Sequence, residues 1–236
     1  MKKNIPYIIL IFLLFGSIVC NIILAVNNTP KSPSSIFDDN KYSIVELKAY
    51  SENVGESHGT AEFISEDGLL ITSAHVITYK QMGSYHTFDS ISIRFSFEEN
   101  YRDVELVKYD TDKDLAVLSL IDKECKFRAI SIGDNKQLKY GDTVYAIGNL
   151  NNMGLCITQG TVSNPSINVS YDNNVRNVIQ CNLTIADGNS GGSLLDKNGK
   201  LIGITTFRLK DSQNNVIYGI SYCVTIASVL EYIENN

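Results

Sequence analysis

Gly188-Asn189-Ser190-Gly191-Gly192 holds a serine between glycines, and a serine hydroxyl becomes a useful nucleophile only when a neighbouring base takes its proton. Alone, the run is equally an ordinary hairpin turn, because glycines supply the backbone freedom that tight turns need. Two earlier segments add the other groups that hydrolysis by serine requires. His75 follows the apolar stretch Gly68-Leu69-Leu70-Ile71-Thr72, where a strand gives way to a short helix, with small Ser73 and Ala74 before it. An imidazole titrates near ~6.5 and is suited to act as base, although at such a place it can also be a satisfied core residue. Asp114 opens Leu115-Ala116-Val117-Leu118, which reads as continuous core; as the last acid of Asp110-Thr111-Asp112-Lys113-Asp114 it can also be a solvated turn acid. In a serine hydrolase Asp114 would fix the tautomer of His75 and stabilise the imidazolium. The Gly188, Asn189, Ser190 turn would form the oxyanion hole, chiefly through the N–H groups of Gly188 and Ser190, each donor worth about 3–4 kcal/mol. The order Ser, Asp, His and the strand-elbow-helix expected of an α/β-hydrolase esterase are both contradicted.

These residues need elements to hold them. From Lys41 onward short β-branched or aromatic runs alternate with turn signals, among them Ser43–Ala49, Ile91–Phe97, Leu115–Ile121, Thr143–Ile147 and Val216–Val224, giving about twelve strands. A break at Ser131–Lys139, rich in Asp, Lys and Asn, divides them into two sets of about six. The expectation is an all-β domain over 41–236, with one six-stranded antiparallel barrel at about 41–130 and another at about 140–225. Two helices are predicted, a turn at Ala74–Thr78 and a C-terminal helix at Ile226–Glu234 with Ile226, Val229, Leu230 and Ile233 at helical spacing.

The ordered set resembles the trypsin-like, chymotrypsin-fold serine proteases, and among them the bacterial HtrA/DegP-like branch. The resemblance rests on Gly59-Thr60 and Phe63-Ile64-Ser65, on Asp67 through Val76, on Asp112 through Leu118, and on Gly141 through Asn149. It continues through Thr158 to Ser163, Ile179-Gln180, Gly188 through Leu195, and Gly203-Ile204-Thr205. It implies two perpendicular six-stranded barrels, with His75 and Asp114 from the first and Ser190 from the second. It also implies peptide-bond hydrolysis through an acyl-enzyme, polypeptide substrates and no cofactor, with a homotrimer among the assemblies to expect. A catalytically inactive homologue that binds peptides is the alternative. By the same resemblance Thr184, six residues before Ser190, lies at the pocket floor, unless it is a packed strand threonine, and Thr205 and Thr206 lie in the pocket wall. A threonine floor disfavours basic residues and suits small or medium apolar ones. Ala186-Asp187 stand where that branch usually has Asn-Pro, which leads to the expectation that the Gly188 turn is latent until a partner orders it. About a dozen residues follow Val224, so no peptide-binding PDZ domain is expected.

Residues 5–26 form an apolar run behind Lys2 and Lys3, long enough to cross a ~30 Å hydrocarbon core and oriented to export the chain beyond Val26. It is read as a signal-anchor after a cytoplasmic tail at 1–4, with a cleaved signal as the alternative and lipidation at Cys20 a lesser one. Residues 27–40, with two prolines and three serines, read as a flexible linker. Because Lys2 and Lys3 are the only charges up to Val26, the remainder carries −8 against a total of −6, which argues against a nucleic-acid partner. Cys125, Cys156, Cys181 and Cys223 lack metal-ligand spacing and read as disulfide partners or buried thiols.

Overall fold

The computed structural model describes residues 12–21, 30–122, 126–171, 174–210, 213 and 216–235. The chain divides into two units, Met1–Lys31 and Ser32–Asn236. In the first, residues 12–21 are helical, and among the described residues no helix is long and apolar enough to cross a membrane. The rest of the expected span at 5–26 lies outside the described residues, as does Cys125.

In the second unit the strands are β1 (Ile44–Ser51), β2 (Gly55–Phe63), β3 (Leu69–Thr72), β4 (Thr78–Gln81), β5 (Ser84–Thr87), β6 (Ser90–Arg94), β7 (Arg102–Asp110) and β8 (Leu115–Leu120). They are followed by β9 (Thr143–Asn149), β10 (Leu155–Tyr171), β11 (Asn174–Asn182), β12 (Ser193–Leu195), β13 (Leu201–Lys210) and β14 (Val216–Thr225). One closed barrel runs β1-β2-β3-β8-β7-β6 and the other β10-β11-β14-β13-β12-β9, with antiparallel pairing throughout. The expected pair of six-stranded barrels is therefore observed, and β4 with β5 forms a separate hairpin that the sequence pattern did not reveal. Thr78–Gln81 and Ser84–Thr87 are polar on both faces, so they carry no alternating signal.

Period-two alternation explains how two barrels share one core. Along β8, Ala116, Leu118 and Leu120 fill the first barrel, while Leu115 and Val117 face the second. Along β9, Val144 and Ala146 fill the second barrel, while Tyr145 and Ile147 join Leu115 and Val117 between the two. Both strands are buried on each face, which is why they read as unbroken apolar runs. Phe63 anchors the first barrel, stacked on Phe127 with ring centroids 4.7 Å apart and on Phe95 at 5.7 Å. Cys181 and Cys223, on neighbouring strands of the second barrel, are buried free thiols.

Two helices seal the junction. The C-terminal one, Ile226–Glu234, is capped by Thr225, whose hydroxyl accepts from Ser228 N–H at 3.2 Å. At its other end Lys108 Nζ of β7 donates to the carbonyls of Tyr232 and Ile233 at 2.8 and 3.3 Å, groups that the helix itself leaves unsatisfied. Leu230, expected on the inner face, is exposed, and Tyr232 is buried instead. A second helix, Pro33–Asn40, corrects the linker expectation for those residues. Ser32 caps it, Pro33 occupies its first turn, Ile36 is buried, and Asn40 Nδ2 donates to Gly199 O at 3.2 Å. The proline and serine that suggested a tether are a helix start.

Glu62 of β2 lies fully buried where the barrels meet, with Oε1 accepting from Ser193 Oγ at 2.8 Å and Oε2 without a hydrogen-bond partner among the described residues. Burial pushes its carboxyl well above the usual range, and the Ser193 bond opposes this only in part. The folded chain keeps a proton that the unfolded chain releases near ~4.3, so this group supports the fold at acid pH and loses that support as pH rises through the raised value. Glu62→Gln keeps an acceptor for Ser193 and cannot ionise; it is expected to melt above the wild type at alkaline pH, the gain shrinking toward acid. Thermal melts across pH check this, and a gain independent of pH would show that ionisation of Glu62 is not what costs stability.

Candidate active site

His75 lies in the one-turn helix Ala74–Ile77, which enters from β3 through Ser73. Its backbone N–H donates to Asp114 Oδ1 at 3.0 Å, and its Nδ1 lies 2.9 Å from both carboxylate oxygens. With Nδ1 donating to a carboxylate, Nε2 is left as the basic nitrogen. Asp114, 4% exposed, sits at φ 57 in the left-handed region, where a residue with a side chain costs about 1–2 kcal/mol. The turn before it is fastened locally by Asp110 Oδ1, which accepts from the N–H groups of Asp112 and Lys113 at 2.8 and 2.9 Å. From the second barrel Thr206 Oγ1 donates to Asp114 Oδ2.

The electrostatics result from this packing. Burial disfavours the Asp114 carboxylate, but the adjacent His75 charge and bonds from His75 and Thr206 more than offset it, so its pKa is held below the usual value. Burial also works against protonated His75; the Asp114 carboxylate outweighs that, Arg176 opposes it, and the net pKa is raised. The imidazole side chain remains 46% exposed, open to a ligand.

The serine turn is held by the first barrel. Thr60 N–H donates to Ser190 O at 3.0 Å, and Thr60 Oγ1 donates to Gly188 O at 2.8 Å while accepting from Asn149 N–H at 2.9 Å. Two glycines are needed here: a Cβ on Gly188 (φ +87) would lie 2.0 Å from Asn149 O, and one on Gly191 (φ +80) would lie 2.1 Å from Thr72 Oγ1. Asn151 N–H donates to Asp187 O at 2.7 Å, and Asn189 O accepts from Gly192 N–H at 2.9 Å and from Thr205 Oγ1. In a trans peptide the C=O and N–H point opposite ways, so drawing those two carbonyls aside turns the N–H groups of Gly188 and Ser190 the other way. Among the described residues neither of these amides has an acceptor. Asn189 is a correction: its N–H donates to Ala186 O at 3.1 Å, which removes it from the expected oxyanion set. The carbonyl of Asp187 is one of the two that hold the turn, a main-chain contact open to any residue at that position.

The structure thus brings His75, Asp114, Gly188 and Ser190 to the barrel junction. Ser190 Oγ itself donates to Thr206 O at 3.4 Å, and no hydrogen bond joins it to His75. Thr205 and Thr206, expected in a pocket wall, are both buried, with the hydroxyl of one tied to the serine turn and that of the other to Asp114. Thr184 is exposed beyond the end of β11, with its carbonyl accepting from Thr158 Oγ1 at 3.3 Å, so it is not a packed strand threonine. Two residues of the site are not legible in the sequence. Arg176 is a lone arginine in a polar stretch and carries no signal, and Thr60 lies in a segment that carries the resemblance while its role shows only in the fold.

The family model described as Trypsin-like peptidase domain matches residues 59–204. A probable periplasmic serine endoprotease DegP-like from Bartonella henselae is 32% identical over 180 residues, covering 75% of this chain and 32% of the relative. Serine endoprotease DegS from Haemophilus influenzae is 29% identical over 205 residues, covering 86% and 54%. The solved structure of HtrA-type protease AlgW with tripeptide superposes with a TM-score of 0.74 at 27% identity, covering 86% of this chain and 63% of that one. The chain spans about a third of the length of the DegP-like relatives.

Thr206→Val removes the hydroxyl that Asp114 Oδ2 accepts from. A bond to a buried charge is worth about 1.5–3 kcal/mol, and that loss is expected in urea unfolding at neutral pH. A carboxylate with a lowered folded pKa supports the fold above its unfolded value and loses that support as pH falls through the folded one. Without Thr206 the folded value rises, so acid unfolding should begin at higher pH; an acid limb unmoved by the substitution would show that Thr206 does not hold Asp114.

Proposed function

Because the chain belongs to the trypsin-like peptidase family, we propose that it is a serine endopeptidase acting outside the cytoplasm, with Ser190 as nucleophile, His75 as base and Asp114 as its support. The observation that carries this reading is the pair of amides beside the serine, those of Gly188 and Ser190, which have no acceptor among the described residues. In a resting protein two such N–H groups are an expense unless a developing negative charge is to occupy the space before them.

On this reading Ser190 Oγ gives its proton to His75 Nε2 as it attacks the scissile carbonyl. The carbonyl oxygen becomes an oxyanion that accepts from the two amides. His75 then passes the proton to the leaving amine, and water repeats the sequence to free the acyl-enzyme. The serine hydroxyl has three staggered positions, and the bond to Thr206 O occupies one of them. The substrate is polypeptide, cleaved after small or medium apolar residues, since Thr184 brings no carboxylate to select a base. The DegP-like relatives are periplasmic by name, and the apolar run at 5–26 behind Lys2 and Lys3 supports export and anchoring. A homotrimer belongs to the reading through the family resemblance alone.

The bond between Ser190 Oγ and the Thr206 carbonyl favours a second reading, an inactive homologue that binds peptides along the junction. A fluorophosphonate probe separates the two. It is expected to label Ser190 in the wild type and not in Ser190→Ala, and labelling absent from a folded wild type would decide for binding alone. Cleavage of unfolded casein should decline on the acid side through a pKa above the ordinary histidine value, because only neutral His75 accepts the serine proton. An acid limb below ordinary histidine would contradict His75 as the base.

A further inference from the structure

Arg176 lies on β11 of the second barrel and is 8% exposed. Acyl transfer does not call for it, and a buried guanidinium persists only when bonded and paired. Its partners are in the first barrel: Nε donates to Asp112 O at 2.7 Å, Nη2 donates to Thr111 O at 2.8 Å, and Nη1 stands 3.9 Å from Asp114 Oδ2. On the same strand Asn174 Nδ2 donates to Asp112 Oδ1 at 2.8 Å. One edge of the second barrel therefore grips, from two positions, the turn that must deliver Asp114 at φ 57.

We propose that Arg176 is a positioning residue that clamps the 111–114 turn of one barrel from the other and so keeps the Asp114 carboxylate on His75. Its catalytic consequence rests on the endopeptidase reading above. Two parallel donors and a fixed plane suit a guanidinium, and a lysine ammonium cannot reach both carbonyls and the carboxylate in one geometry. The charge has a second effect, since Arg176 disfavours the imidazolium that Asp114 favours. The other charged groups of the turn are engaged elsewhere: Asp112 by Asn174, and Asp110 by two amides and by Lys113 at 3.7 Å. Thr206 of β13, which donates to Asp114 from the second barrel, is neutral.

The test compares Arg176→Met with Arg176→Lys in the full chain. Both should lower kcat about tenfold with KM within about twofold, as expected when positioning of the reacting groups is lost and binding is kept. In a Ser190→Ala background, with its signal assigned by His75→Gln, the His75 ring followed by NMR should titrate lower in Arg176→Lys, which keeps the charge but releases the carboxylate that favours the imidazolium, and higher in Arg176→Met than in Arg176→Lys, because loss of the cation works the other way. A role in stability alone would not move that titration. The proposal is overturned if kcat is unchanged in both variants, or if the His75 titration stays put in Arg176→Lys. Should Arg176→Met not fold, Arg176→Lys decides: reduced kcat with a lowered titration upholds the clamp, and a parental kcat or a parental titration refutes it. If the wild type cleaves nothing while the titration moves as expected, the endopeptidase reading fails and the clamp on the Asp114 turn stands.

Discussion

A carboxylate buried to 4% exposure is the constraint on which the rest of this structure turns. An isolated ion in such a place would cost several kcal/mol and would shed its charge, yet the Asp114 pKa is lowered. What reverses the sign is the charge and bonds of His75, through its backbone and its ring, and the hydroxyl of Thr206; the guanidinium of Arg176 stands 3.9 Å away. Two of these come from the first barrel's own helix and two from the second barrel. Asp114 thus draws on both barrels, with the larger share from His75 of its own.

The second barrel contributes a turn whose chemistry lies in its backbone. Thr60, Asn151, Thr205 and Gly192 hold carbonyls of residues 187–190, which leaves two amides turned the other way. Glycine at 188 and 191 is what lets neighbouring backbone come close enough to do this. Glu62 and Ser193 add a buried polar pair a few residues away, so the junction combines an apolar seam of Leu115, Val117, Tyr145 and Ile147 with polar contacts that fix its register.

Much of this was legible in the chain. β8 and β9 stood out because strands buried on both faces are continuous apolar runs, and His75 and Asp114 were placed by their positions at the ends of β3 and β8. The β4–β5 hairpin was not, since strands polar on both faces have no period to read. Pro33 and Ser32 misled because the same residues start helices and make loops, and what settles the matter is Ile36 packing into a core that local sequence does not display. Thr205 and Thr206 were expected to face a pocket because resemblance assigns them to a wall; whether a threonine hydroxyl faces ligand or neighbour depends on what lies across from it.

The meeting of the ends of β3, β8 and the Gly188 turn was what the family resemblance implied, while the sequence by itself determined the residue types, their order, and a strand pattern in two sets of six. These are properties of composition and periodicity, which short-range sterics and burial translate directly into elements. Only the tertiary structure decided which amides are free, that Asn189 is not among them, and that Arg176 reaches the Asp114 turn. Amide direction depends on where each carbonyl finds its donor, and here those donors stand as far apart in sequence as Thr60 and Gly188. A hydrogen bond between distant residues leaves no local trace, so nothing short of the folded chain could assign it.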